Sequence, residues 1–190
     1  MSEFIREVLL TTRRADGSTH LAPMGVRERD GELLLAPFRP SGTLDNLERE
    51  RCAVINLVDD VRIYAGCLTG HHDWPMAPAR TIPGMRLAEV LAHQEIRVVR
   101  IEDDALRPRL YCRVVDEQNH RPFRGYNRAQ AAVLELAILV SRLDLLPWDK
   151  IEAEMRYLRI AMDKTAGERE RQAWEWLEDK IAGHRRRACA

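Results

Sequence analysis

The sequence predicts a mainly β protein with α, in which residues 1–124 form a small barrel and residues 125–190 a helical part. Two observations carry this. First, six short runs of β-branched and aliphatic residues, joined mostly by short connections, lie before residue 120, the pattern of a small closed sheet. Second, from Asn127 the period changes from two to about 3.6, as in helices.

The first run spans residues 4–12 and ends at Ala15-Asp16-Gly17-Ser18, a tight turn of the Asp-Gly type. A second strand covers residues 19–28, Arg29-Asp30-Gly31-Glu32 repeats the turn signal, and Leu33–Ala36 is a third strand. A short helix follows at about 41–50, then an apolar strand from Cys52 to Val58. Asp59 or Asp60 can cap a short helix bearing Val61, Tyr64, Ala65 and Leu68. Residues 69–84 read as a loop containing His71, His72 and Trp74, either functional or mobile surface. Strands at 94–102 and 109–117, turning at Asp103-Asp104, complete the six.

Three capping-box patterns open three helices: Asn127…Gln130, Asp149…Glu152 and Thr165…Glu168. The first helix, running to about Asp144, is apolar on most sides and so buried, in the domain or at a subunit interface. The second carries Ile151, Met155, Leu158 and Met162 on one face. The third carries Trp174, Leu177 and Ile181 and is expected to close at Gly183, leaving His184-Arg185-Arg186-Arg187 beyond it.

Lys+Arg 30 against Asp+Glu 30 gives a formal net charge of +0, so nothing overall points to nucleic acid or a membrane surface. The start, Met1 to Glu7, has no apolar signal core, and no apolar run approaches membrane-spanning length. Cys52, Cys67, Cys112 and Cys189 show no C-x-x-C spacing, which leads us to expect reduced thiols, a cytoplasmic location and no metal site.

The stretch Phe38-Arg39-Pro40-Ser41-Gly42-Thr43-Leu44-Asp45-Asn46-Leu47 suits a phosphate. Pro40 and Gly42 mark a turn, and Thr43 is the expected N-cap. A helix N-terminus presents unpaired N–H groups and partial positive charge, and here Ser41, Thr43, Arg39 and Asn46 surround it. The same pattern also describes an ordinary capped helix.

With strand, strand, strand, capped helix and apolar strand in this order, the chain resembles the flavin-mononucleotide-binding split-barrel superfamily. The residues that carry the resemblance are Leu10-Thr11-Thr12, Ala22-Pro23-Met24-Gly25, Ser41–Leu47 and Val54-Ile55-Asn56-Leu57. More closely, it resembles the domain of unknown function 447, through Asn56-Leu57-Val58-Asp59-Asp60 and Tyr126-Asn127-Arg128-Ala129. The resemblance covers most of residues 4–165 and implies flavin mononucleotide (FMN) as cofactor, in a homodimer with the flavin near the interface. It implies that Ser41, Thr43 and Asn46 take the phosphate, with Arg39 adding charge. Thr11 and Thr12 would line the ring or ribityl chain, and Pro23, Met24 and Gly25 would lie along the ring. Asn56 would reach the ring edge or ribityl hydroxyls, and Asn127 and Arg128 a flavin of either subunit.

Each residue also has a plainer role: Met24 as core, Asn127 as N-cap, Asp59-Asp60 as a cap rather than an acid–base pair, His20 as a surface histidine rather than a proton donor. No catalytic side chain is assigned. The sequence carries neither G-x-S-x-G nor G-x-G-x-x-G, so a nicotinamide would stack transiently on the ring. The resemblance implies an FMN-dependent oxidoreductase acting on a small planar substrate (reduced nicotinamide, pterin-like or quinone-like). The alternatives are a non-catalytic flavin carrier, sensor or interaction module, and a barrel that has lost flavin or holds haem.

Overall fold

A computed structural model describes residues 4–29 and 31–188. The expected turn residue Asp30, the segment Met1–Glu3 and Cys189 lie outside the described residues. The chain divides into two compact units. One comprises residues up to Val58 and Trp74–Phe123; the other comprises Asp59–Asp73 and the chain from Arg124 onward. In space, residues 59–73 cluster with the C-terminal helices.

The first unit is a six-stranded barrel with strand order β1-β2-β3-β8-β7-β4, closed by pairing of β4 with β1. In chain order its elements are β1 (Ile5–Arg13), β2 (Thr19–Arg29), β3 (Glu32–Leu35), α1 (Gly42–Glu50) and β4 (Cys52–Leu57). The others in this unit are β5 (Met76–Pro78), β6 (Met85–Leu87), β7 (Ala92–Glu102) and β8 (Arg109–Asn119). Gly17, at φ 84°, makes the first hairpin turn that Asp16-Gly17 announces.

The two-residue period sorts each strand onto two faces. Val8 and Leu10 of β1, Ala53 and Ile55 of β4, Ile96 and Val98 of β7, and Leu110 and Cys112 of β8 point inward to one buried cluster. Leu44 and Leu47 of α1 belong to that cluster, so α1 plugs the barrel through its apolar face. Burying each leucine contributes roughly 1.5–3 kcal/mol. The N-cap of α1 is Ser41, whose Oγ accepts from Leu44 N at 3.3 Å, and not Thr43, which lies inside the first turn. Gly42 continues into the helix, so the cap sits two residues earlier than the turn signal suggests.

The outer faces of β1, β4 and β7 carry buried polar side chains. The expected loop, residues 69–84, in fact contributes β5, which pairs with β6 to form a strap over this wall. Three buried polar groups hold the strap. Thr11 Oγ1 donates to Met85 O at 2.7 Å; Asn56 Oδ1 accepts from Leu87 N at 2.8 Å; the Glu95 carboxylate accepts from Thr81 N at 2.7 Å and Ile82 N at 3.1 Å. Ile82 packs with Cys52 and Val54 beneath it.

The second unit contains α2 (Arg62–Thr69), α3 (Arg128–Val140), α4 (Trp148–Thr165) and α5 (Glu168–Ala188). Ala129, Ala132, Val133, Leu136, Ala137 and Val140 place one face of α3 in a core shared with Ile151 and Met162 of α4 and Ala173, Trp174, Leu177 and Ile181 of α5. Asn127 caps α3 as expected. The helix stops at Val140 and not Asp144, since Arg142 N turns to Leu139 O at 3.0 Å, a tighter i→i−3 bond.

The other two capping boxes do not form. The position before α4 is Pro147, without a side-chain cap. Thr165 ends α4, its hydroxyl donating to Ala161 O at 2.8 Å, and at the start of α5 it is Glu170 that accepts from Gly167 N at 2.9 Å. Nor does Gly183 end α5. A glycine inside a helix costs only about 1 kcal/mol. Here Ile181 is buried, and Arg185 beyond it lies 4.7 Å from the Trp148 ring and pairs with Glu152 at 3.3 Å. His71 stacks on Trp176 with ring centroids 3.9 Å apart.

Replacing Asn56 by Ala removes the acceptor for the buried Leu87 N–H. The Asn56→Ala variant is expected to lose roughly 1–3 kcal/mol of stability in urea unfolding and to lose amide-exchange protection at Leu87. Unchanged protection at Leu87 would show that Asn56 does not anchor the strap.

Candidate functional site

The Asp16-Gly17 turn fixes the β1–β2 register so that Thr12 faces His20 directly. Cross-strand partners share a face, and residues three apart on a helix share a face too. The structure joins these two pairs. Asn46 Nδ2 donates to Thr12 Oγ1 at 3.0 Å, and His20 Nε2 lies 3.1 Å from Thr43 Oγ1. Two rungs thus fix the N-terminal turns of α1 against the hairpin.

The hydrogen-bond chain has a direction. His20 Nδ1 is 3.0 Å from Arg14 Nη2, and a guanidinium only donates, so Nδ1 accepts and Nε2 carries the proton toward Thr43. The Thr43 oxygen is then an acceptor from His20, which leaves its O–H to act as a donor. Arg14 is held in place by a bond to Thr19 O at 2.6 Å. The result is a cradle for an anion, formed by the first-turn N–H groups of α1, the Thr43 hydroxyl, half-buried Ser41, and the Arg14 guanidinium behind His20. Asp45, exposed in the same first turn, complements the helix dipole.

The expected residues do not all gather here. Thr43 and Ser41 stand at the cradle. Asn46 is buried and its amide is engaged by the protein, Nδ2 on Thr12 and Oδ1 accepting from Arg49 at 3.0 Å. It positions α1. The Arg39 guanidinium donates to Asp103 at 2.9 Å and Glu48 at 3.0 Å, so its charge is matched by carboxylates. Thr11 and Thr12 are adjacent and therefore point to opposite faces: Thr12 to α1, Thr11 to the strap. Asn56, fully buried, donates to Leu9 O at 3.1 Å and Thr11 Oγ1 at 3.2 Å and accepts from Leu87 N, which makes it a strap anchor.

Pro23, Met24 and Gly25 lie on β2, where residues 19–25 pair with β1, while the β2–β3 ladder begins only at Val26. This is an edge whose residues are all half-buried, and Pro23 suits an edge strand. Met24 packs against the barrel core, and a Cβ on Gly25 would come within 3.0 Å of Ile5 Cγ2. Asn127 and Arg128 belong to the helical unit. Asn127 Oδ1 caps α3 through Ala129 N at 2.7 Å, its Nδ2 donates to Thr165 O at 3.0 Å, and Arg128 is exposed.

Arg14 and the role of His20 at α1 escaped sequence reasoning, although the hairpin register contains the signal for His20. A second basic recess, about 320 Å³, is lined by Arg27, Arg29, Arg107 and Arg109 with Asp104. Arg107 there is committed to Ala36 O at 3.0 Å. Burial pushes the Cys67 and Cys112 thiols up to about 12, which removes both as nucleophiles. Among the described residues no helix is long and apolar enough to cross a membrane.

In fold, the chain is similar to the FMN-bound protein MM1853 of Methanosarcina mazei, of the DUF447 family (TM-score 0.81, 18% identity, 94% of this chain and 96% of that one). It is also similar to the 2-nitrobenzoate 2-nitroreductase NbaA of Pseudomonas fluorescens (TM-score 0.53, 19% identity, 63% and 66%). A further likeness is to an FMN-binding protein from Thermus thermophilus with bound p-hydroxybenzaldehyde (TM-score 0.53, 12% identity, 65% and 77%). No curated protein matches the chain in sequence. The model of the DUF447 N-terminal domain, a protein of unknown function, matches residues 6–121, and that of the DUF447 C-terminal domain matches residues 127–179. The barrel and the helices after it are thus the two domains of one family, and the chain belongs to DUF447.

Proposed function

We propose that this chain binds FMN and acts as a flavin-dependent oxidoreductase on a small planar substrate. The observation that carries the reading is the cradle at α1, where a directed chain from Arg14 through His20 leaves the Thr43 hydroxyl as a donor beside the first-turn amides. That donor set fits a phosphate monoester dianion. The family relative in M. mazei is FMN-bound, and NbaA is by name a nitroreductase, which supports the cofactor and the redox class.

In this reading Ser41, Thr43 and the α1 amides hold the phosphate, while Arg14 supplies positive charge behind it and neutral His20 links that guanidinium to Thr43. The half-buried edge at Ala22–Gly25 offers backbone groups to the ring, with Met24 packed toward the barrel core. Bound flavin would supply the electron and hydride chemistry. The protein's share is to fix the phosphate, present the β2 edge and exclude water from one side of the ring.

Residues 22–25 of β2 ladder with β1 and not with β3, and such a strand edge is a pairing hazard unless covered. A second copy of the chain covering Ala22–Gly25 would remove it, so a homodimer with flavin near the interface follows as part of the proposal. Cys52 and Cys112, both buried as thiols, support a reducing, cytoplasmic setting.

The purified protein is expected to be yellow and to release FMN, identified by mass, with the bound flavin reduced by a nicotinamide faster than free flavin. A protein that binds flavin without accelerated turnover would be a carrier or sensor, and one that fails to take up added flavin would refute the reading. Ser41→Ala with Thr43→Ala is expected to raise the dissociation constant for FMN roughly 10²- to 10⁴-fold, because hydrogen bonds to charged groups are worth about 1.5–3 kcal/mol each and two are removed. Circular dichroism should show a folded chain, and retention of flavin would place the phosphate elsewhere. Light scattering after size exclusion should give twice the 21.9 kDa chain mass. A monomer would leave the β2 edge without its proposed cover.

A further inference from the structure

We propose that His93, Glu95 and Asp116 form a binding site for a divalent first-row transition-metal ion, such as Zn²⁺, on the outer barrel wall beneath the strap. It is independent of the flavin reading.

The strand geometry brings the three together. His93 and Glu95 are two apart on β7 and share its outer face, and Asp116 of β8 is the direct cross-strand partner of Glu95. The ladder shifts register immediately after this pair, from Glu95↔Asp116 to Ile96↔Val114, so β8 carries an extra residue beside Asp116. Such bulges re-aim neighbouring side chains. Ligand atoms of the three residues all lie within 4.8 Å of one another.

Two of these atoms are buried without a hydrogen-bond partner. His93 is 2% exposed, and its Nε2 has none; nor does Asp116 Oδ2. A buried polar atom left without a partner is destabilising, which calls for an occupant between them. Glu95, 0% exposed, is locked by Thr81 Oγ1 at 2.6 Å and by the backbone N–H groups of Arg80, Thr81 and Ile82. Most of those donors reach Oε2, whereas Oε1 faces His93 Nε2 at 3.5 Å. This separation is too long for a hydrogen bond, but it is close to the edge of a tetrahedron with bonds of about 2.1 Å, which is roughly 3.4 Å.

The surroundings fit a metal ligand. The other His93 nitrogen, Nδ1, lies 2.8 Å from His120 Nε2, so it can donate there and present Nε2 as a lone pair. Two carboxylates placed directly across a ladder repel each other. A dication between them and a neutral imidazole would cancel that charge. One imidazole and two carboxylates, with no thiolate, select Zn²⁺, Mn²⁺ or Fe²⁺ over Cu⁺. Arg80 Nη2, 3.9 Å from Asp116 Oδ1, competes on one side of that carboxylate and leaves Oδ2 facing the site.

The rival occupant is a proton on His93 Nε2, shared toward Glu95. Full-length protein, stripped with chelator, separates the two by titration with Zn²⁺ in a calorimeter and with Co²⁺ by visible difference absorbance. One ion per chain is expected, with affinity at least 10-fold lower in Asp116→Asn and in His93→Gln. Asp116→Asn also removes a like charge, so without metal it should fold at least as well as the original. If Zn²⁺ and Co²⁺ fail to bind at millimolar concentration, or bind the variants equally, the proposal is overturned. Should neither variant fold, the histidine ¹⁵N resonances of the original protein decide. A shift on Zn²⁺ addition confined to the Nε2 of the ring bonded to His120 supports the site, and a shift at any other ring overturns it.

Discussion

The register of the first hairpin governs what the barrel end can do. Asp16-Gly17 sets Thr12 opposite His20, and that single placement decides which side chains meet α1. A slip of one residue would turn both away from the helix and toward the strap, because the side-chain period of a strand is two. With the register in place, Asn46 and Thr43, one helical turn apart, each find one partner on the hairpin. The apolar side of the same helix, Leu44 and Leu47, fills the barrel interior. Helix α1 thus does two things at once: it closes the core and presents its N-terminus beside a basic hairpin.

The outer wall follows a different logic. Thr11, Asn56 and Glu95 come from three adjacent strands and all point outward, where exposed polar residues would be unremarkable. They are buried because the strap covers them, and each repays its loss of water by bonding to strap backbone. Residues that a family resemblance assigns to a cofactor thus also hold the scaffold. Asn56 shows this plainly, since both ends of its amide are occupied within the wall.

In the helical unit, local signals and packing disagree at the ends and agree in the middle. The buried face of α3, at residues 129, 132, 133, 136, 137 and 140, has the 3.6-residue period of the sequence. The helix ends depend on contacts with other elements. Thr165 carries a capping signature yet closes α4, because its hydroxyl serves Ala161 O and accepts from Ala129 N at the cap of α3. Arg185, four-tenths or more exposed in its own right at 58%, still extends α5 past Gly183 by lying on Trp148.

By itself the sequence determined the strand and helix order, the tight Asp16-Gly17 turn, the inward-facing residues and the position of a capped helix after β3. These depend on periodicity and turn chemistry, which are local. It also held the family, through short motifs in a fixed order. Only the tertiary structure decided which polar residues bond within the protein and to what. Thr11 and Thr12 look alike in sequence but point to opposite faces, and Arg39 meets Asp103, a residue far along the chain. His93, Glu95 and Asp116 form a cluster only once β7 and β8 are paired with their bulge. Long-range pairing sets these partners, and no local pattern encodes the register between strands that distant turns and a covering strap determine.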